Sequence, residues 1–240
     1  TIKLIRALGA VAGSGNVTNL ILPQGATGTI TSSFDGTHTT ISAVITSTGP
    51  GLVWTGGINN LWDINASTNW VLNSAITTYQ QTIIPGDAVT FNDTGSGTVL
   101  LNANVGPASL TISNNSKSYT FSGTGNISGP TSLVKAGTGS AVLNLTNNNY
   151  TGDTIINGGS LQFGVASGLP SSGNLVVGTN GTLQLAGLSL TARELTGSGV
   201  VNNNSGLETL LTVGSSTGGN WHGTVTNTGG GGVALRKVGT

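Results

Sequence analysis

NYTGDTIINGGSLQFG, residues 149–164, strings two short apolar runs, Ile155-Ile156 and Leu161 to Phe163, between glycines, threonines and asparagines. Apolar pieces this small cannot make a core alone. The second piece recurs: GSLQF at 159–163 returns as GTLQL at 181–185, which sets Leu183 in the place of Leu161. LVKAGT at 133–138 returns as LRKVGT at 235–240, which sets Leu235 in the place of Leu133. The second interval is close to five times the first, and a step of about 20 to 22 residues signals coils stacked along an axis. In such a stack each coil's small core joins its neighbours' into one column.

Short strand-like runs fill the space between the matches, among them Ala88 to Phe91, Ser109 to Ile112, Ala141 to Leu145, Leu175 to Val177 and Thr209 to Val213. Each has β-branched or aromatic content, with Gly, Asn, Ser or Pro on both sides. No segment carries a helical stripe of adequate length. The chain therefore reads as all-β. A sandwich would also give many short strands, but it needs no periodicity, whereas stacked coils put the same residue type at the same place in every coil. Alternation then gives each residue a direction: Leu161 and Phe163 point in, Gln162 points out, and Leu183, Gln184 and Leu185 repeat this one layer on. The clusters Asn147 to Asn149 and Asn202 to Asn204 suit corners, where Asn tolerates left-handed backbone and stacked amides bond along the axis.

Composition narrows the partners. Of 240 residues 40 are Gly and only 6% are charged, with seven Lys or Arg against seven Asp or Glu. With net charge zero and the basic residues scattered, no cationic stripe can track a phosphate backbone, which argues against nucleic acid. Cys is absent, so disulfides, thiolate metal sites and cysteine nucleophiles are excluded. Met is absent too, and the chain reads as a processed product or an excerpt. The opening TIKLIRALGAVAGSG sets two basic residues before an apolar patch broken by Gly9 and Gly13, a poor signal-peptide core. No apolar stretch is long enough to span a bilayer.

Here the residues carry a resemblance. KAGTG at 135–139, AVLNL at 141–145 and the quoted 149–164 stretch together resemble the autotransporter-associated β-strand repeat, or passenger-associated transport repeat. LVWTGG at 52–57, LWD at 61–63, Asn69-Trp70 and PGDAVTF at 85–91 resemble the Trp-rich module often preceding such repeats in bacterial surface proteins. The resemblance implies a right-handed parallel β-helix, exported to the bacterial cell surface or released from it, and brings no catalytic residue. The expected organisation is a β-rich segment over 1–50, a Trp-rich β module over 51–86, and a parallel β-helix over 87–240. The helix would have about seven coils and stand roughly 34 Å tall at about 4.8 Å per layer.

Polysaccharide lyases and hydrolases also use parallel β-helices, and glycosidases work with paired carboxylates roughly 5 to 9.5 Å apart. Asp87 and Asp93 lie about 20 Å apart along a straight strand. Asp153 and Glu194 have no acidic neighbour in sequence. Turn-capping is the plainer role for these acids. Asp35 and His38 suggest two members of a triad only if geometry joins them, and a turn leading into a strand explains both. His222, beside Trp221, reads as a strand residue. The Gly-x-Gly triplets at 13–15, 123–125 and 137–139 read as turns, since no Gly-Lys-Ser/Thr or helix follows them. We expect no enzyme and no cofactor.

Trp54, Trp62 and Trp70, spaced by eight, are either a glycan-binding platform or the material of a small core, with indole N–H groups finding nearby acceptors. Val233, Leu235, Arg236, Lys237 and Val238 form a candidate assembly edge, because they begin a repeat without finishing it. The expected partner there is another copy stacked head to tail, or the continuation of a longer parent chain. The function expected is therefore structural or adhesive, with a polysaccharide-binding adhesin or a polysaccharide lyase or hydrolase as the alternative.

Overall fold

The computed structural model describes residues 2–8, 24–47, 50–214 and 219–239. The sequence features at Gly9, Gly13 to Gly15 and Thr240 lie outside them. The chain divides into two units, Thr1–Gly51 and Leu52–Thr240. The first holds β1 (Ile2–Leu8), β2 (Thr27–Phe34) and β3 (His38–Ser47), an antiparallel sheet in the order β1-β3-β2. Asp35 makes the β2–β3 turn. Its carboxylate accepts the N–H groups of Thr37 at 2.9 Å and His38 at 2.7 Å, while Gly36 takes φ +92°.

The second unit opens with β4 (Leu52–Trp54), β5 (Trp70–Leu72) and β6 (Ala75–Thr77). Its coils then run through β7 (Val89–Asn92), β8 (Thr98–Leu101), β9 (Leu110–Ser113), β10 (Tyr119–Gly123), β11 (Leu133–Ala136) and β12 (Ser140–Leu143). Two long bent strands follow, β13 (Thr154–Phe163) and β14 (Leu175–Gln184). The remaining strands are β15 (Leu190–Ala192), β16 (Leu195–Gly197), β17 (Val200–Asn203), β18 (Thr209–Gly214), β19 (Thr224–Asn227) and β20 (Val233–Val238).

These strands stack in parallel on three faces of a β-solenoid. On the first face β4, β7, β9, β11 and the first halves of β13 and β14 are followed by β16. On the second, β8, β10 and β12 are followed by the second halves of β13 and β14, then β17 and β19. The third face carries β15, β18 and β20. First-face register passes from Val89 to Leu110, Leu133, Thr154, Leu175 and Leu195, one stacked on the next. Each step has the length of one coil in a solenoid repeat. A bridge from Gly197 to Trp221 starts the seventh coil.

Alternation builds the column. Along β7, β9 and β11 every other residue is buried, so Val89 and Phe91, Leu110 and Ile112, and Leu133 and Lys135 point inward. On the second face Leu161 lies in register with Leu183, both fully buried, as the recurrence of GSLQF in GTLQL predicts. The wider recurrence reads differently. Leu133 lies on the first face, but Leu235 pairs with Leu211 on the third, so the two LxKxGT hexapeptides are not equivalent positions five coils apart. Their likeness is local, in the turn that each makes.

Tight turns need glycine where coils meet. Gly137 has φ +72°, and a Cβ there would lie 2.2 Å from the Asn114 carbonyl oxygen of the coil before. Corner asparagines behave in two ways. Asn147 takes φ +54° as expected of a corner, whereas Asn202 and Asn203 end β17 and are buried. Asn203 instead ties three coils: its amide donates to the carbonyls of Leu207 at 2.7 Å and Gly231 at 2.9 Å, and its oxygen accepts Gly187 N–H at 3.1 Å.

Candidate functional site

The three tryptophans lie in the core. Trp54, Trp62 and Trp70 are 0% exposed and belong to the same buried cluster as the solenoid's leucines. Trp54 and Trp70 meet edge to face at 4.9 Å, Trp62 and Trp70 at 5.5 Å, and Phe91 of the next rung touches all three. The segment expected as a module over 51–86 therefore shares the core of the coils that follow. β4 is already a rung, paired in parallel with β7, and its other edge is taken by β5 running antiparallel, then β6. The indoles are not alike in their N–H groups. Trp54 donates to the Ser96 carbonyl at 2.9 Å, whereas Trp62 and Trp70 have no hydrogen-bond acceptor and sit among aromatic rings.

Of the carboxylates considered for chemistry, Asp87, Asp93 and Asp153 accept backbone amides. Asp87 accepts Gln80 N–H at 2.9 Å, and Asp153 accepts Asn174 N–H in the next coil at 2.8 Å. Asp93 is bound by a whole turn of the coil after it: one oxygen accepts the N–H groups of Asn115, Ser116 and Lys117 at 2.9 to 3.0 Å. The Lys117 and Asn115 amides hold its carboxyl down at about 2. Asn115 passes the pattern on, since its side-chain oxygen accepts Thr138 N–H at 3.2 Å. Asp93 and Asp153 thus bind successive coils together, whereas Asp87 bonds the segment just before it. Among the described residues no group of three or more His, Asp or Glu is gathered as metal ligands would be.

One ionisable group escaped the sequence reading. Lys135 is fully buried at an inward position of β11, where the alternation of LVKA marks it as a core site. Its ammonium donates to the carbonyls of Ala136 at 2.6 Å and Gly137 at 3.2 Å, and across to Gly158 of the next coil at 3.3 Å. Burial pushes its pKa down to about 8. Nearby, the hydroxyls of Tyr150 and Thr154 lie 2.6 Å apart, which satisfies a threonine placed where neighbouring rungs carry leucine.

Residues 133–163 match the model of the family described as Passenger-associated-transport-repeat. This stretch is similar to a passenger-associated transport repeat. The repeat spans β11, β12 and the whole of β13, so it holds one coil together with the strands that stack on it on both faces. The Lys135 bond to Gly158 and the Tyr150 to Thr154 contact both fall inside the repeat. No curated protein and no solved structure matches the chain.

The candidate edge lies on β20, the last strand of the third face. Arg236 and Lys237 pair in register with Thr212 and Val213, and Val233 and Val238 with Thr209 and Gly214. Leu235 is 48% exposed where Leu211, beneath it, is buried. Lys237 repeats the Lys135 device, donating to the carbonyls of Val238 at 3.0 Å and Gly239 at 3.4 Å. Antiparallel β5 covers β4, whereas β19 and β20 are the last strands of their ladders among the described residues. Among the described residues no helix is long and apolar enough to cross a membrane.

Proposed function

We propose that residues 52–240 are a non-catalytic, load-carrying solenoid of an autotransporter passenger-like protein displayed outside a bacterial cell. The observation that supports this most is the continuous core. Buried residues from Trp54 to Val213 make one cluster through successive coils, and the polar side chains are spent on coil-to-coil bonds. Such a column sets a distance and bears load without a cleft. The repeat at 133–163 and the solenoid fit a passenger of this kind. Fused to an outer-membrane β-barrel translocator, residues 52–240 emerge at the cell exterior as a fragment resistant to added protease. Retention inside the cell, or digestion to small peptides, would overturn the proposal.

The edge of β19 and β20 is the finer part of this reading: it accepts a further coil. On the first face a second copy docking head to tail would meet β6, because β5 already occupies β4's other edge. Electron microscopy of the purified chain tests the fibre, whose filaments would lengthen with concentration. Particles of one length at every concentration exclude it. A glycan-binding platform built on Trp54, Trp62 and Trp70 has no exposed indole to offer.

A further inference from the structure

The outward positions of the first face form a ladder of β-branched side chains. Val53 pairs with Thr90, Thr90 with Thr111, Thr111 with Val134 and Val134 with Ile155. Val176 and Thr196 carry it through the next two coils. The antiparallel strands extend it the other way, with Val71 beside Val53 and Ile76 beside Val71. Ile, Val or Thr thus stands at the same place in nine successive strands of one sheet. Ile76 is 74% exposed and the other eight are partly exposed.

Strand propensity favours such residues on a pleated surface but does not account for this run. The second face has the same backbone and a mixed ladder: Thr120 is followed by Val142, Gln162, Gln184 and Asn202. There the amides bond laterally, Asn202 donating to Gln184 at 2.8 Å. Along the first face the adjacent outward ladder is also small and uncharged, with Asn92, Ser113 and Ala136 in register. Charge is met at its borders, in Asp153 and Glu194, each two residues ahead of a ladder position, and in Asp93, next to Asn92 on the other side.

We propose that this face is a lateral docking surface for a second copy of the chain, placed face to face. A partner must be flat and uncharged, and must present side chains at the rung spacing of about 4.8 Å over roughly 38 Å. A second copy of the face meets all three conditions along its whole length, and methyl groups interdigitate as in stacked sheets about 10 Å apart. A strip of that length and about 10 Å wide gives about 400 Å² per partner, half of the roughly 800 Å² of a stable complex. Pairing is accordingly weak for two chains in dilute solution and strong where many are held close together. It rests on the face itself and does not depend on where the chain resides.

Thr111 is the fifth of the nine positions, so it faces its counterpart whether the two columns run parallel or antiparallel. The chain has no cysteine, so Thr111→Cys introduces a single thiol. Under mild oxidation T111C forms a covalent dimer at a rate that climbs with protein concentration and exceeds that of T120C on the second face. Adding Val134→Lys and Ile155→Lys to T111C removes that excess, while circular dichroism and melting temperature report an intact fold. Thr90→Lys with Thr196→Lys, which takes less apolar surface from the sheet, removes it too. Equal rates for T111C and T120C, or a T111C rate untouched by both lysine pairs, would overturn the proposal.

Discussion

The ammonium group of Lys135 in one coil reaches the carbonyl of Gly158 in the next, 3.3 Å away, beside a core of aliphatic and aromatic side chains. Burial lowers its pKa from 10.5 to about 8. Between those values the unfolded chain holds the extra proton, so stability rises with pH through this window. Above about 10 the tyrosines act in the opposite sense, because burial raises the hydroxyl pKa of Tyr79, Tyr119 and Tyr150 and the unfolded chain ionises first. We predict a urea midpoint that rises from about pH 8 to about pH 10 and a flat profile for Lys135→Met. The same rise in both proteins would assign it elsewhere.

Asp93 works at the acid end. Its carboxyl is lowered from 3.8 to about 2, so its contribution is complete above the unfolded value and is lost as pH falls through the folded one. Asp93→Asn is expected to flatten the loss of stability between about pH 4 and pH 2. Melting curves of the two proteins that stay parallel down to the lowest pH would refute this.

Leu161 and Leu183 share one buried column across neighbouring coils. Replacing either by Ala costs about 2 to 5 kcal/mol, the range for a leucine in a packed core. The double variant loses less than the sum, since one enlarged cavity replaces two. Strict additivity in denaturant titrations would show that the two sites relax independently.

Gly137→Ala places a methyl group against the Asn114 carbonyl at positive φ. Left-handed strain alone costs about 1 to 3 kcal/mol, and the collision with backbone adds to it. Gly230 also has positive φ but no atom within 4 Å of a Cβ, so Gly230→Ala isolates the strain. A midpoint shift for Gly137→Ala no larger than that of Gly230→Ala would mean that the coils move apart freely.

Buried indoles fix a spectroscopic expectation. Fluorescence from Trp54, Trp62 and Trp70 is blue-shifted and unmoved by added neutral or acidic polysaccharides. Trp70→Ala destabilises by about 3 to 5 kcal/mol, because it removes a ring shared by four aromatic neighbours. With the partly exposed Trp221 replaced by Phe, red emission that shifts on glycan titration would contradict the packing.

The fold was legible where one residue type recurs at one place: GSLQF and GTLQL share a face because inward Leu and outward Gln must repeat when coils stack. LVKAGT and LRKVGT misled because that hexapeptide encodes a local turn, a lysine closing on its own carbonyls, and the turn serves on more than one face. The tryptophans were legible as core of a module joined to the coils, but the sharing of one core with them was not. That union rests on β4 pairing with β7 across a segment with no periodic signal. The β-branched ladder was hidden for a similar reason. From Thr90 to Thr196 its members follow the coil step at outward positions of mixed Thr, Val and Ile, and Val71 and Ile76 join through antiparallel strands that the coil period cannot foretell.

Register on the first face advances by a nearly constant step from coil to coil, and every face must advance together. Removing residues 154–174 would set Leu175 on Leu133 and leave inward residues inward throughout. Removing an odd handful from within a strand would turn the rest of that strand inside out, so changes short of a whole coil are confined to the corners. Reach is therefore inherited in whole units: descendants of this gene lengthen or shorten the column by one coil, about 4.8 Å, whatever residues the corners gain or lose.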